Sequence, residues 1–220
     1  MTAPVSRLGG GYAESRPDAG PTVRAVLEAA APGAPGSRLV VVSGPPGVGK
    51  TALVERLLPV VPGSVCVDKD AAAGPFVLEA ARQDGVPGEG AYGTDRYWRR
   101  LRPLEYAGAV ATACANLVGR RVVFLAGGWG PELAVPSLWS ALGEAVAPAR
   151  LTVLHLDAPA RETWRRRLQT RGSRADSPWF EVFAESVTSL PVWDGAMRLA
   201  TDGPLAGVAQ AAVDALGIDT

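Results

Sequence analysis

The chain is poor in lysine, histidine and cysteine. Of its 22 basic residues only two, Lys50 and Lys69, are lysine, so the other 20 are arginine. It has a single histidine, His155, and two cysteines, Cys66 and Cys114. Two isolated cysteines cannot build a disulfide framework, and no Cys/His spacing offers a metal cluster. Both lie in apolar runs, which predicts buried, reduced thiols in a cytoplasmic protein. The lone histidine falls inside an apolar strand pattern, so a Ser-His-Asp or Cys-His mechanism has no candidate base but that one. Charge of either sign is not in excess, with 22 basic against 22 acidic residues. No basic surface is advertised, which argues against nucleic acid as the main partner. No apolar run approaches the ~20 residues that span a bilayer, and the first residues lack a charged-then-apolar signal pattern.

What is present is a phosphate-binding loop. Gly44-Pro45-Pro46-Gly47-Val48-Gly49-Lys50-Thr51 fits G-x-x-x-x-G-K-[ST] at every fixed position. Before it, Arg38–Ser43 reads as a short apolar buried strand; after it, from Ala52, apolar residues recur at helical spacing. Strand, glycine loop and helix aim backbone N–H groups and a helix N-terminus at an anion. Glycines let the backbone approach phosphate, Lys50 reaches the β- and γ-phosphates, and Thr51 can ligate Mg²⁺. A lysine at the one loop position that demands it, in so lysine-poor a chain, is unlike chance.

Further strands are expected over 64–68, 121–126, 151–157 and 197–200, with helices between them and a closing helix over 205–216. The strand at 64–68 ends in Asp68-Lys69-Asp70. Ligands of open α/β sheets bind at the carboxyl ends of strands, so these carboxylates offer a Mg²⁺ partner and a general base; alternatively Asp70 caps the following helix. The third strand empties into Gly127-Gly128-Trp129 rather than a Walker B aspartate, which leaves Asp68 and Asp70 as the metal-side carboxylates. Tyr92, Tyr97, Arg102 and Tyr106, with Trp129 and Glu132, are candidate acceptor contacts, or else parts of a salt-bridged helix. Residues 159–174 carry six arginines, of which Arg167, Arg171 and Arg174 share a helical face and suit a triphosphate. Residues 1–36 are expected to be a flexible segment with a short helix near 21–30, and 37–220 one domain.

Three elements together resemble the small P-loop kinases: Asp68-Lys69-Asp70, Arg102-Pro103-Leu104-Glu105-Tyr106, and Arg167-Leu168-Gln169-Thr170-Arg171-Gly172. Within them the chain is most similar, over roughly 38–200, to the AAA-type ATP-binding proteins grouped with chloramphenicol phosphotransferase, zeta toxins and polynucleotide kinase domains. The resemblance implies a three-layer α/β fold with a five-stranded parallel sheet of order 2-3-1-4-5 and an arginine-rich lid. It implies ATP and Mg²⁺ as cofactors, Asp70 as the base that deprotonates an acceptor hydroxyl with Asp68 as the fallback, and lid contacts from Arg167, Arg171 or Arg174. The function expected is transfer of a phosphoryl group to a small hydroxyl compound, for instance an antibiotic or other natural product. The rivals are a polynucleotide 5′-kinase and a nucleotide-binding regulatory module; a homodimer is left open.

Overall fold

The computed structural model describes residues 18–217. Five parallel strands form one sheet in the order β2-β3-β1-β4-β5. They are β1 (Arg38–Ser43), β2 (Val65–Asp68), β3 (Val122–Ala126), β4 (Arg150–Leu156) and β5 (Met197–Leu199). Among the described residues eight α-helices surround them: α1 (Gly20–Ala29), α2 (Lys50–Leu57), α3 (Lys69–Gln83), α4 (Arg102–Ala115), α5 (Pro136–Val146), α6 (Arg161–Thr170), α7 (Trp179–Thr188) and α8 (Leu205–Leu216). No described helix is long and apolar enough to cross a membrane.

The strand sequences explain the layers. Side chains alternate across a strand, so Leu39 and Val41 of β1 face one way and Val40 and Val42 the other. All four are fully buried, because a central parallel strand is covered on both faces. One core joins Leu39, Val41, Val123, Leu125 and Val153 to α1, α4 and α5; the other joins Val40, Val42, Phe124 and Leu154 to α2 and α8. The helix expected near 21–30 is α1, and it does not stand apart: Val26 is fully buried in the first core and the helix packs against α4 and α5. The body of the protein therefore includes residues from α1 onward, ahead of the boundary drawn at 36; the mobility expected of residues 1–17 lies outside the described residues.

α4 stops at Ala115. α6 stops at Thr170, because Gly172 takes φ +73° and turns the chain. Residues 88–93 wind into a 3₁₀ turn, and Tyr97–Leu101 form a widened i→i+5 turn that leads into α4. Cys114 is buried, but Cys66 is exposed, against expectation. It sits on β2, the end strand of the sheet among the described residues. Partial burial and the carboxylates of Asp68 and Glu55 push its thiol up to about 11, so it is an unreactive group.

Candidate active site

The carboxyl ends of β1, β2 and β3 converge on a cavity of about 600 Å³. Its floor is the loop from Pro46 through Thr51 into Ala52. Two glycines of this loop are fixed by sterics. A Cβ on Gly44 would stand 2.6 Å from the Leu156 carbonyl oxygen, and one on Gly47 would stand 2.7 Å from Leu168 Cδ2, both at positive φ. The second contact matters, since it seats the loop directly against α6. Trp164 of α6, buried among Phe180 and Phe183, donates its indole N–H to the Pro46 carbonyl at 2.7 Å. Trp164→Phe is expected to cost about 1 kcal/mol of stability, the size of one lost hydrogen bond, measurable as a lowered midpoint in urea.

Lys50 opens α2, and its Nζ donates to the carbonyls of Gly44 (2.7 Å) and Pro45 (2.9 Å). Burial, helped by the nearby Arg171 and Lys69, lowers it to about 8 against the pull of Asp70 and Asp68. The protonated amine is the form that attracts phosphate. Nucleotide affinity is thus expected to be flat below pH 8 and to fall about tenfold per pH unit above it; titration of ADP by calorimetry from pH 6.5 to 9.5 reads this out.

Asp68 and Asp70 divide their work differently from the capping alternative. Asp68, not Asp70, caps α3: its Oδ1 accepts from the backbone N–H of Asp70 (2.9 Å) and of Ala71 (3.2 Å). Its Oδ2 lies 3.5 Å from Thr51 Oγ1. Two hard oxygens thus meet beside Lys50, the donor set that suits Mg²⁺ when phosphate supplies the remaining ligands. Among the described residues no cluster of three His, Cys, Asp or Glu could hold a metal by itself.

Asp70 lies against the Lys69 ammonium (2.5 Å), with its own side chain 44 % exposed. Burial would raise its pKa, but Lys69, Lys50 and Arg171 outweigh it and hold the carboxyl below the usual range. Behind it runs a buried polar chain. Lys69 Nζ donates to Glu105 (3.0 Å), Tyr97 Oη donates to the other Glu105 oxygen (2.8 Å), and Arg102 forms a two-pronged pair with Glu132 at 3.0 and 2.6 Å. The Arg102 guanidinium also lies between the Trp98 and Tyr106 rings, about 4.5 and 4.4 Å from their centroids.

This network corrects part of the expected acceptor set. Tyr106, Trp129 and Glu132 do not line the cavity. Glu132 is consumed by Arg102, and Trp129 is held inside by a 3.0 Å bond from its backbone N–H to Tyr106 Oη. Tyr97 and Arg102 reach the wall but are only 2 % exposed each; Tyr92 lines it as well. On the α6 side, Arg167 and Arg171 line the cavity and Arg174 does not: it pairs with Asp176 and stacks over Trp179. Arg167 donates to the Thr201 carbonyl at 2.8 Å, and Arg171 faces Asp70 and Asp68. Thr201, Gly203, Leu205 and Val208, after β5, close the far end and were not singled out from sequence, because nothing in their types signals a ligand.

A second hollow, about 610 Å³, lies on the other side of the loop. Here Ser43 Oγ is 3.1 Å from His155 Nδ1, and His155 Nε2 is 3.6 Å from Asp157. The row resembles a nucleophile triad but cannot act as one. Ser43 is fully buried, and its hydroxyl also donates to the Leu154 carbonyl. Asp157 is committed to Arg198, and burial keeps His155 neutral, lowered to about 4.

No protein-family profile matches the chain, and no curated protein matches it. Solved structures do. A gluconokinase from Sinorhizobium meliloti is 19 % identical, with 84 % of this chain and 94 % of that one covered at a TM-score of 0.54. A shikimate kinase from Bacteroides thetaiotaomicron is 16 % identical, covering 82 % and 99 % at 0.53. A tunicamycin resistance protein from Deinococcus radiodurans is 18 % identical, covering 83 % and 97 % at 0.56. At these identities the likeness establishes the fold, which is that of the small P-loop kinases.

Proposed function

We propose that this chain is an ATP-dependent phosphotransferase that moves the γ-phosphoryl group to a hydroxyl of a small molecule, an antibiotic or other natural product being the leading class. The observation that carries the reading is the meeting of donor and acceptor chemistry in one cavity. The loop and Lys50 lie at its floor, and a cavity-facing carboxylate, Asp70, lies within the electrostatic reach of Lys50 and Arg171. The similar solved structures include a gluconokinase, a shikimate kinase and a tunicamycin resistance protein.

In this reading the loop amides and Lys50 grip the β- and γ-phosphates. Thr51 and Asp68 would hold Mg²⁺, which supplies charge neutralisation on the phosphate oxygens. Asp70 takes the proton of the acceptor hydroxyl. The hydroxyl oxygen bonds to the γ-phosphorus as the bond to the β,γ-bridging oxygen breaks, and ADP leaves. Arg171, with Arg167 behind it, balances the charge that spreads over the transferred group. Thr201, Gly203 and Leu205 border the space left for the base.

Two experiments test this. ADP release with ATP and Mg²⁺ is expected to rise when a panel of hydroxyl compounds is added; release indifferent to every compound would argue for a slow hydrolase or a regulatory module. Arg171→Ala is expected to lower kcat about a hundredfold with little change in nucleotide affinity; an unchanged kcat would remove Arg171 from the site.

A further inference from the structure

Asp70 is pulled from two sides. On one side lies Lys69, whose Nζ donates to Asp70 Oδ1 at 2.5 Å. On the other lie Lys50 and Arg171, whose charges both act on the Asp70 carboxylate. Both line the cavity, and among the described residues neither has a carboxylate hydrogen-bonded to it. Lys50 turns instead to the carbonyls of Gly44 and Pro45. These two cations are the ones that nucleotide phosphates would claim, and a half-exposed carboxylate in the same cavity is a rival for them. One change of χ1 rotamer is enough to redirect an aspartate.

The anchor on the Lys69 side is built to stay in place. Lys69 is buried at the start of α3. Its ammonium also donates to Glu105 at 3.0 Å and lies 5.1 Å from the centre of the Tyr106 ring. Glu105 is buried too, and its second oxygen accepts from the Tyr97 hydroxyl at 2.8 Å. That hydroxyl accepts in turn from Arg102 at 3.4 Å. Lys69 cannot follow Asp70 into the cavity without leaving Glu105 a buried charge stripped of its partner. The Asp70 carboxylate is therefore tied by Oδ1 to a fixed point. Its Oδ2 accepts no side-chain hydrogen bond among the described residues and is left to the cavity.

We infer that Lys69 is a positioning residue: held from behind by Glu105, it tethers Asp70 and keeps that carboxylate off Lys50 and Arg171, so that the phosphate-binding cations stay open to nucleotide. The inference rests on the phosphotransferase reading for the role of Asp70, but its test reads nucleotide binding and needs no acceptor. ADP with Mg²⁺ is titrated by calorimetry into the full chain and its variants. Lys69→Met combined with Glu105→Gln removes the tether, leaves the net charge of the wall unchanged and strands no buried charge.

This pair is expected to bind ADP about tenfold more weakly, the loss that follows when Asp70 occupies the two cations about nine-tenths of the time. Adding Asp70→Asn to the pair is expected to restore the wild-type affinity, which a merely structural defect would not allow. Glu105→Gln alone keeps the bond from Lys69 to Asp70 and is expected to bind ADP as the wild type does. Undiminished affinity in the pair, a loss that persists with Asp70→Asn, or an equal loss from Glu105→Gln alone would each overturn the inference. So would a tenfold gain from Asp70→Asn alone, because Asp70 would then already sit on those cations in the wild type; this arm leaves Lys69 in place and decides even if the paired variant does not fold. The expected pattern without phosphoryl transfer to any alcohol would leave the tether standing and refute phosphotransfer. Transfer to an alcohol without the pattern would do the reverse.

Discussion

Asp70→Asn is expected to lower acceptor-dependent turnover about a thousandfold, within the usual reach of a general base, while ADP binds nearly as before. The reason lies in the neighbours. Asparagine keeps an oxygen for Lys69 to donate to, and Glu105 remains to balance the Lys69 charge, so the wall need not collapse. What is lost is the proton acceptor. The three cations that hold Asp70 ionised also make it a weak base, which is tolerable because a loose phosphoryl-transfer transition state asks little of the nucleophile until late. The acid limb of the rate should accordingly fall below the usual carboxylate range, about pH 4. If ADP affinity falls with turnover, Asp70 is a structural or metal-side residue. Turnover and ADP titration on the same preparation separate these.

Glu132→Ala is expected to destabilise the protein by about 3–5 kcal/mol, the cost of leaving a buried charge without its partner. Arg102 would remain 2 % exposed with its two bonds to Glu132 gone, keeping the 3.4 Å bond to Tyr97 Oη and the rings of Trp98 and Tyr106 but not the carboxylate of Glu132. A double change, Arg102→Leu with Glu132→Leu, should recover much of the loss, since an apolar pair of similar bulk removes the unpaired charge. Urea unfolding of the single and double variants measures both. A single change costing less than about 1 kcal/mol would mean that Arg102 finds water or another carboxylate.

The parts of this protein that a sequence can disclose are those in which residue type dictates backbone. The β1–loop–α2 unit is legible because continuous burial selects an apolar strand and two close approaches select Gly44 and Gly47. The sheet order came through resemblance, since nothing in a strand names its neighbour. The acceptor wall was misjudged for a physical reason: rings and charges clustered near 92–106 suit a pocket lining and a buried ion network equally well, and only partners decide. Glu132 lies 30 residues from Arg102, and no local pattern joins them. One signal was overlooked. The scarcity that singles out Lys50 applies equally to Lys69, the only other lysine, which proves to be 5 % exposed and in contact with the candidate base.

The central claim is that one cavity holds both the phosphoryl donor and an alcohol activated by Asp70. The direct test follows the phosphorus. ATP labelled in its γ-phosphate is incubated with Mg²⁺, the protein and a set of small alcohols, and the products are resolved. Label on an alcohol with the wild-type chain, and none above background with Asp70→Asn, is the result predicted here. Label appearing only as inorganic phosphate, at the same rate with and without alcohols and in both proteins, would contradict it.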